Sequence, residues 1–142
     1  MYKLMIAAFF LMLSPMSQAQ EVNSKRGVAV KGYDVVAYFD GQAQKGDKAH
    51  EFSYEGVNYR FASAANAKRF KANPKAYLPQ YGGYCAYAIA LNGKKVDIDP
   101  ETFEIRDEKL YLFYNAWGNN TLKKWQEDPE SLKARADQNW KI

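Results

Sequence analysis

The chain alternates apolar and polar residues on both sides of Glu55-Gly56, in the stretch "HEFSYEGVNYRF" (50–61). This period of two is typical of strands, so a two-residue turn at Glu55-Gly56 predicts a β-hairpin. The facing pairs of that hairpin are Tyr54 with Val57, Phe52 with Tyr59, and His50 with Phe61. All of these side chains share one face, which places His50 at the end of a buried row.

A second stretch, "FEIRDEKLYLFY" (103–114), alternates in the same way and predicts a second hairpin. The apolar residues of its two arms are Phe103 and Ile105 on the first and Leu110, Leu112 and Tyr114 on the second. The β-prone run "GYDVVAYF" (32–39) marks the beginning of the domain, and Asp40-Gly41 ends this run.

Start and stop signals predict helices after each hairpin. Ser63 caps a helix that continues to about Asn73 and is ended by Pro74. The apolar side of that helix consists of Ala64, Ala67 and Phe70. Asp128, followed by Pro129, begins a C-terminal helix. The apolar positions there are Leu132, Ala136 and Trp140, and a shorter helix before it buries Leu122 and Trp125.

The stretch "YCAYAIAL" (84–91) is apolar at both alternating sets, so a buried strand is possible. Its three alanines favour a short helix, with Gly82-Gly83 as a flexible entry and Asn92-Gly93 as a C-terminal stop. Together these elements predict an α+β fold, with a small antiparallel sheet from two β-hairpins packed with three or four short helices.

The N-terminus has the pattern of a signal peptide. Lys3 precedes an apolar run from Leu4 to Leu13, and Ser17 and Ala19 supply the small residues that signal peptidase needs. We expect a signal peptide at residues 1–19, a flexible polar leader at 20–31 and a single domain at 32–142. The mature protein would then be periplasmic or secreted. No transmembrane segment remains after cleavage, because no other stretch is apolar enough.

Charge and composition narrow the possible partners. Cleavage leaves 142 − 19 = 123 residues and lowers the formal net charge from +4 to +3, because Lys3 is removed. This modest charge does not indicate nucleic-acid binding, and the cluster around Lys68 reads as a solvated helix face. All four methionines lie in the signal peptide, which counts against a thioether copper(I) site. A small molecule or a protein remains as the expected partner.

Cys85 is the only cysteine, although exported proteins usually pair their cysteines. A helix starting near Gly83 would place Cys85 in its first turn, where free N–H groups stabilise a thiolate for redox chemistry, adduct formation or metal ligation. The alternative is a small buried hydrophobe, because unpaired cysteine is among the most buried residue types. Burial is the simpler interpretation.

His50 is the only histidine, and it is the candidate partner of Cys85 as a base or as a second ligand of a metal ion such as copper or zinc. It is equally a structural residue at the end of the hairpin. Two residues make only half of a metal shell, which Asp34, Asp97 or Asp99 could complete. Asp99 precedes Pro100, so turn capping is its expected role.

Tyrosines surround Cys85. Tyr84 and Tyr87 share a helix face, joined by Tyr81 if the helix starts early, and an apolar ring with a polar tip suits a pocket for a flat ligand. The predicted ligand-binding residues are Tyr81, Gly82, Gly83, Tyr84, Cys85 and Tyr87. A core built from tyrosine explains the same pattern equally well.

The stretch "YRFASAANAKRFKANPKAY" (59–77) resembles the YHS domain, a small module in which an aromatic strand leads to a helix ending at Asn-Pro-x-x-Tyr. The stretches "GYDVVAYF", "YLPQYGGYCAYA" and "LYLFYN" resemble a longer, exported branch of that family. The resemblance covers roughly residues 32–140 and implies a small α+β unit. No firmly established activity comes with this branch.

Metal-binding relatives of the YHS domain place cysteines in two segments that lack them here. This chain has Val36, Ala37 and Tyr38 in the first segment and Ala62, Ala64 and Ala65 in the second. Because an alanine methyl offers no donor atom, the resemblance implies that the relatives' metal site is absent. Glu108 also stands where the branch usually has glycine, which makes the second turn unusual, and Phe113 stands where asparagine is common.

Three functions follow from these features. We expect a non-enzymatic module that binds a small ligand, or weakly a metal, through the Tyr84-Cys85 segment. The first alternative is a structural or interaction module with an inert, buried thiol. The second is a thiol-based redox enzyme or sensor. No P-loop, dinucleotide fingerprint or nucleophile elbow indicates another enzyme class.

Overall fold

The computed structural model describes residues 21–140, so the predicted signal peptide lies outside the described residues. This part of the chain forms eight short strands: β1 (Ser24–Lys25), β2 (Val28–Ala29), β3 (Asp47–Tyr54), β4 (Val57–Phe61), β5 (Asp99–Arg106), β6 (Lys109–Phe113), β7 (Asn115–Ala116) and β8 (Asn119–Asn120). Its α-helices are α1 (Ala64–Ala72), α2 (Ala86–Asn92), α3 (Thr121–Trp125) and α4 (Pro129–Asn139). The predicted α+β class is confirmed.

Both predicted hairpins form, but they lie in separate sheets. The first, β3–β4, belongs to a four-stranded sheet of order β1-β2-β4-β3, in which β2 runs parallel to β4. The second, β5–β6, forms a two-stranded sheet of its own. Strand β2 occupies the second edge of β4, and β3 is the edge strand of the first sheet.

The register of the first hairpin is predicted correctly near its turn. Tyr54 pairs with Val57, and Phe52 pairs with Tyr59. The prediction for His50 is wrong, because the register shifts between Asp47 and Glu51 and Phe61 pairs with Asp47 instead. His50 lies inside this irregular stretch, and the alternation of apolar and polar residues does not predict the irregularity.

Helix α1 begins and ends where the sequence predicts. The hydroxyl of Ser63 accepts a hydrogen bond from the Asn66 amide at 3.1 Å, and Ala67 and Phe70 are buried. Ala64 is exposed instead of continuing the apolar side. Phe70 lies at the centre of an aromatic cluster whose other members are Phe52, Tyr54, Tyr59 and Phe61.

The expected loose leader differs in the structure, where residues 24–29 are part of the first sheet. Strand β1 pairs with β2, and β2 pairs with β4. Ala29 and Val30 are buried in the core. The sequence does not predict this role, because each strand is only two residues long and the strand that ties them to the sheet, β4, lies about 30 residues further along the chain.

The open choice at residues 84–91 is resolved as a helix. Helix α2 ends at Gly93, whose φ of 73° suits glycine and whose amide donates to the Ile89 carbonyl at 2.9 Å. The cap of α4 is also as predicted, since Asp128 accepts from the Ser131 amide at 3.4 Å. Helix α2 lies between two buried clusters, with Cys85 in the first and Ile89 in the second.

The turn of the second hairpin carries strain that the sequence predicts. Asp107 and Glu108 have φ values of 50° and 62°, both in the left-handed region that favours glycine. We expect Glu108→Gly to raise the free energy of unfolding by about 1 kcal/mol, measured by urea denaturation. The matched control is Gly56→Ala in the first hairpin, where φ is 81° and the change should be destabilising. A destabilising Glu108→Gly would contradict the prediction.

Candidate functional site

An open groove of about 410 Å³ runs beside helix α2. It is bounded by α2, the segment that follows it, the β7–β8 hairpin and the start of α3. Its lining residues are Cys85, Tyr87, Ala88, Leu91, Asn92, Lys94, Val96, Tyr114, Asn119, Thr121 and Lys124. Two of the predicted ligand-binding residues, Cys85 and Tyr87, therefore line one concave surface.

The Cys85 thiol lies at the floor of this groove and is completely buried. Its sulfur is 3.4 Å from the Thr121 hydroxyl oxygen. That hydroxyl donates its single proton to the Tyr114 carbonyl at 2.6 Å. The thiol must then be the donor to Thr121, and a thiolate would lose this hydrogen bond. Cys85 is therefore held in place as a hydrogen-bond donor within the fold.

Backbone hydrogen bonds fix the position of Cys85. Its amide donates to the Val96 carbonyl at 2.9 Å, and its own carbonyl accepts from the Ile89 amide at 3.1 Å. Cys85 is thus the residue that precedes α2, which begins at Ala86, and its side chain makes no capping bond. The expectation that Cys85 lies in the first helical turn is wrong by one residue, because Tyr84 and Cys85 have non-helical backbone angles.

The groove combines an apolar wall with a polar floor and a basic rim. The rings of Tyr87 and Tyr114 border it, and Lys94 and Lys124 stand at its edge. The side-chain oxygen of Asn119 is buried and has no hydrogen-bond partner within residues 21–140. Asn119 therefore adds a polar residue to the lining of the groove.

The Gly82-Gly83 pair is not a flexible entry. Tyr81, Gly82 and Gly83 all have positive φ values, of 56°, 61° and 82°. The Asn23 amide donates to the Gly82 carbonyl at 2.8 Å, and the Asn23 side chain donates to the Gly83 carbonyl at 3.2 Å. A Cβ at Gly82 would lie 2.1 Å from the Glu21 carbonyl oxygen. Glycine is needed here for a left-handed turn under a close backbone neighbour.

Four of the predicted ligand-binding residues lie away from the groove. Tyr81 is buried, and its hydroxyl donates to Asp137 at 2.8 Å; burial and this carboxylate raise the pKa of Tyr81 well above its ordinary value. Tyr84 donates to Glu21 at 3.3 Å. Gly82 borders a separate recess of about 40 Å³ near Pro79. Gly83 instead packs against the N-terminal segment.

His50 and Cys85 occupy different parts of the fold. His50 is half-buried in β3, the edge strand of the first sheet, which packs on β4 and α1. It is not among the lining residues of the groove. No group of three or more His, Cys, Asp and Glu side chains in residues 21–140 is arranged to hold a metal ion. A metal held by Cys85 and His50 stays a prediction.

Asp34 is fully used by the fold. Its buried carboxylate accepts from the Val36 and Ala37 amides at 2.8 and 3.2 Å, and from the Ala62 amide and Asn66 side chain at 2.8 Å each. These donors come from the two segments that carry cysteines in metal-binding relatives. A network of hydrogen bonds centred on a carboxylate therefore joins those segments here.

Asp99 and Asp97 also have structural partners. Asp99 accepts from the Glu101 amide at 3.0 Å and the Thr102 hydroxyl at 2.9 Å, as expected for turn capping. Asp97 accepts from the Asn23 side chain at 3.0 Å and forms an ion pair with Lys25 at 2.9 Å. These contacts hold the N-terminal segment against the rest of the domain.

The Asp97 network gives the protein an acid-sensitive contact. Burial raises the pKa of Asp97, but hydrogen bonds from Asn23, Lys25 and the Ile98 amide and the charge of Lys31 outweigh it and hold the pKa well below its usual range. A depressed pKa stabilises the folded state above the unfolded value of about 3.9. This contribution is lost as the pH falls from that value through the folded pKa.

We expect Asp97→Asn to lower the free energy of unfolding by about 1 kcal/mol at neutral pH, a small value because this carboxylate is 41% exposed. Below about pH 4 the parent loses the same contribution, so the difference between parent and variant should shrink. Urea denaturation at pH 7 and at low pH measures both values. Glu101→Gln, at an exposed position in β5, is the control. A difference that grows on acidification would contradict the assignment.

Sequence reasoning missed most of the groove. Tyr114 was predicted as an apolar residue of the second hairpin, and no pattern in the sequence pointed to Asn119, Thr121, Lys94 or Lys124. Thr121 lies 36 positions after Cys85, and only the packing of α3 beside α2 brings them together. No local motif links residues at that separation.

The fold and the site thus define a class of protein: a small α+β domain with a groove that has a cysteine in its lining. Residues 35–81 match the family model of the YHS domain. That match spans 47 of the 142 residues and ends before Cys85, so every groove residue lies beyond it. No curated protein and no solved structure matches the chain. Within residues 21–140, no helix is long and apolar enough to cross a membrane.

Proposed function

We propose that this chain is an exported YHS-like domain that binds a small ligand, without catalysis, in the groove beside α2. The observation that carries the proposal is that Cys85 and Tyr87 line the same open groove of about 410 Å³, which is within the usual size of small-molecule sites. The proposed domain is residues 32–142, and strands β1 and β2 before it pair with its first sheet. Its proposed location is the periplasm or the extracellular space.

The lining of the groove supports a flat, partly apolar ligand that carries a negative charge. Tyr87, Leu91 and Val96 offer an apolar surface, which suits an aromatic or aliphatic body. Lys94 and Lys124 at the rim favour an anionic group.

Metal binding and thiol-based redox chemistry find less support than the binding of an organic ligand. A metal ion needs several anionic or lone-pair donors, whereas the groove lining holds one buried thiol and two cationic side chains, with no carboxylate or imidazole. A redox enzyme or sensor needs an accessible thiolate, whereas Cys85 is buried and acts as a donor to Thr121. An interaction module with an inert thiol differs from our proposal only in having no ligand in the groove.

The test is titration of the ¹⁵N-labelled protein with benzoate and indole-3-carboxylate as probes. We expect the amide signals of Tyr87, Ala88 and Thr121 to move on addition of at least one probe. Tyr87→Ala should weaken that binding about fivefold or more, the effect of losing roughly 1 kcal/mol of ring contact. Tyr84→Ala is the matched control, because Tyr84 is a partly exposed tyrosine outside the groove.

Further measurements separate the alternatives. Native mass spectrometry and elemental analysis of the purified protein should show a small organic ligand or an empty groove, rather than stoichiometric zinc or copper. A thiol reagent should modify native Cys85 slowly and the unfolded chain quickly.

Bound metal that is lost in both Cys85→Ser and His50→Ala would replace our proposal by the metal site. Fast modification of the native thiol would replace it by thiol chemistry. Equal binding by Tyr87→Ala and the parent would exclude the groove.

A further inference from the structure

The large apolar side chains that the structure leaves exposed within residues 21–140 lie on one face. Trp117 is 97% exposed and Leu91 is 47% exposed. Leu91 lines the groove, and Trp117 is two residues before Asn119, which also lines it. Two residues span at most about 7 Å of chain, so Trp117 stands at the edge of the same surface. We call this surface, formed by residues 86–96 and 114–125, the tryptophan face.

Neither packing nor turn chemistry explains Trp117. It occupies the first central position of the two-residue turn between β7 and β8, with a φ of 53°, followed by Gly118 at 74°. Turns of this geometry favour asparagine before glycine, and a bulky residue at positive φ is unfavourable. The ring also contacts no other aromatic side chain described in the structure. A strained, solvated indole at a projecting tip indicates a binding role.

The charge of the tryptophan face has a single sign. Its two segments contain four lysines (Lys94, Lys95, Lys123 and Lys124) and no aspartate or glutamate. Lys95 forms an ion pair with Glu21. The other three lysines form no ion pair within the described part of the chain. Lys94 and Lys124 line the groove on this face, so the face presents unpaired positive charge, which selects an anionic partner.

We propose that the tryptophan face docks on a lipid bilayer containing anionic headgroups, with Trp117 inserted at the interface and Lys94, Lys123 and Lys124 against the headgroups. Indole rings are favoured at membrane interfaces, where one end is apolar and the other is hydrated. Lysines beside such an anchor add attraction to anionic lipid. The indole projects from a convex tip, which a soft bilayer accepts without a matching cavity.

The face shares Lys94 and Lys124 with the groove, but Trp117 and Lys123 do not line it, so variants of these two residues test the membrane contact separately from the groove ligand. Trp117→Asn is a suitable test variant, since an Asn-Gly turn suits this backbone and should keep the hairpin folded. Its folding is checked by circular dichroism. Lys123→Gln removes one charge of the face, and Lys68→Gln in α1 is the matched charge control. All variants share the parent's N-terminus, so any contribution of residues 1–20 cancels in the comparison.

The experiment measures co-flotation with vesicles of phosphatidylglycerol and phosphatidylethanolamine, and with vesicles of phosphatidylcholine alone. We expect binding to the anionic vesicles, weakened about tenfold or more by Trp117→Asn. Lys123→Gln should weaken it about fivefold, and Lys68→Gln should leave it unchanged. Tryptophan emission of the parent should shift to shorter wavelength on the vesicles, and that shift should vanish in Trp117→Asn.

Three outcomes would overturn the proposal. One is equal vesicle binding by Trp117→Asn and the parent. Another is equal binding of the parent to phosphatidylcholine and to anionic vesicles, or binding to neither. The last is a dimer or a complex with another protein that forms without lipid and is lost in Trp117→Asn, which would assign the same face to a protein partner.

Discussion

Asp34→Ala is expected to lower the free energy of unfolding by about 3–5 kcal/mol, measured by urea denaturation. The Asp34 carboxylate is fully buried and accepts four hydrogen bonds. Alanine would leave the Val36, Ala37 and Ala62 amides and the Asn66 side chain without their acceptor. Each unsatisfied buried donor costs about 1–3 kcal/mol when water cannot reach it. The loss would also separate the segment before β3 from the start of α1.

A graded pair of substitutions tests this assignment. Asp34→Asn keeps one oxygen for Val36 and Ala37 but turns an amide group toward the Ala62 N–H, so we expect a loss of about 2 kcal/mol. Asp40→Asn is the control, because Asp40 is an exposed carboxylate paired with Arg69 at 2.8 Å. That change should cost less than about 1 kcal/mol. Similar losses for Asp34→Asn and Asp40→Asn would contradict the proposed role of Asp34.

Gly82→Ala is expected to lower the free energy of unfolding by about 3 kcal/mol. Part of this cost comes from the φ of 61°, which is energetically unfavourable for a residue with a Cβ. The larger part is a collision, since the new methyl would lie 2.1 Å from the Glu21 carbonyl oxygen. The N-terminal segment must then move, and the hydrogen bonds of Asn23 to this turn are lost.

Gly41→Ala separates the two contributions. Gly41 has a φ of 88°, but an added methyl there would meet nothing within 4 Å, so this variant should lose only about 1 kcal/mol. Hydrogen exchange should show residues 21–25 released in Gly82→Ala and protected in Gly41→Ala. Equal losses of unfolding free energy in the two variants would mean that the Glu21 backbone moves away at little cost. The close approach of Glu21 to Gly82 would then contribute nothing to the effect.

The features that the sequence predicted correctly are local. The pairing of Phe52 with Tyr59 depends on a turn two residues long, and the caps at Ser63 and Asp128 depend on residues within one helical turn. Such signals act over a few positions, so the chain pattern contains them completely. Where a local rule failed, as at His50, an irregular stretch of strand β3 had shifted the register.

The features that the sequence did not predict join distant residues. Gly82 looked like a flexible entry because nothing nearby reveals that the Glu21 backbone lies against it. Thr121 could not be linked to Cys85 for the same reason. The sequence shows which tyrosines are neighbours of Cys85 along the chain, but the direction in which each ring points follows from the whole fold. Tyr87 borders the groove, whereas Tyr81 binds Asp137 on α4.

The anchoring of Asn23 has a consequence for the order in which the molecule assembles. This residue is synthesised before its partners Gly83 and Asp97, which come 60 and 74 positions later. Pairings at such distances close slowly, because a long loop loses its freedom before any contact compensates. Residues 21–29 should therefore join the sheet last, as the slowest phase of refolding. A bulky tag placed directly before Glu21 should slow that phase more than any other phase of refolding.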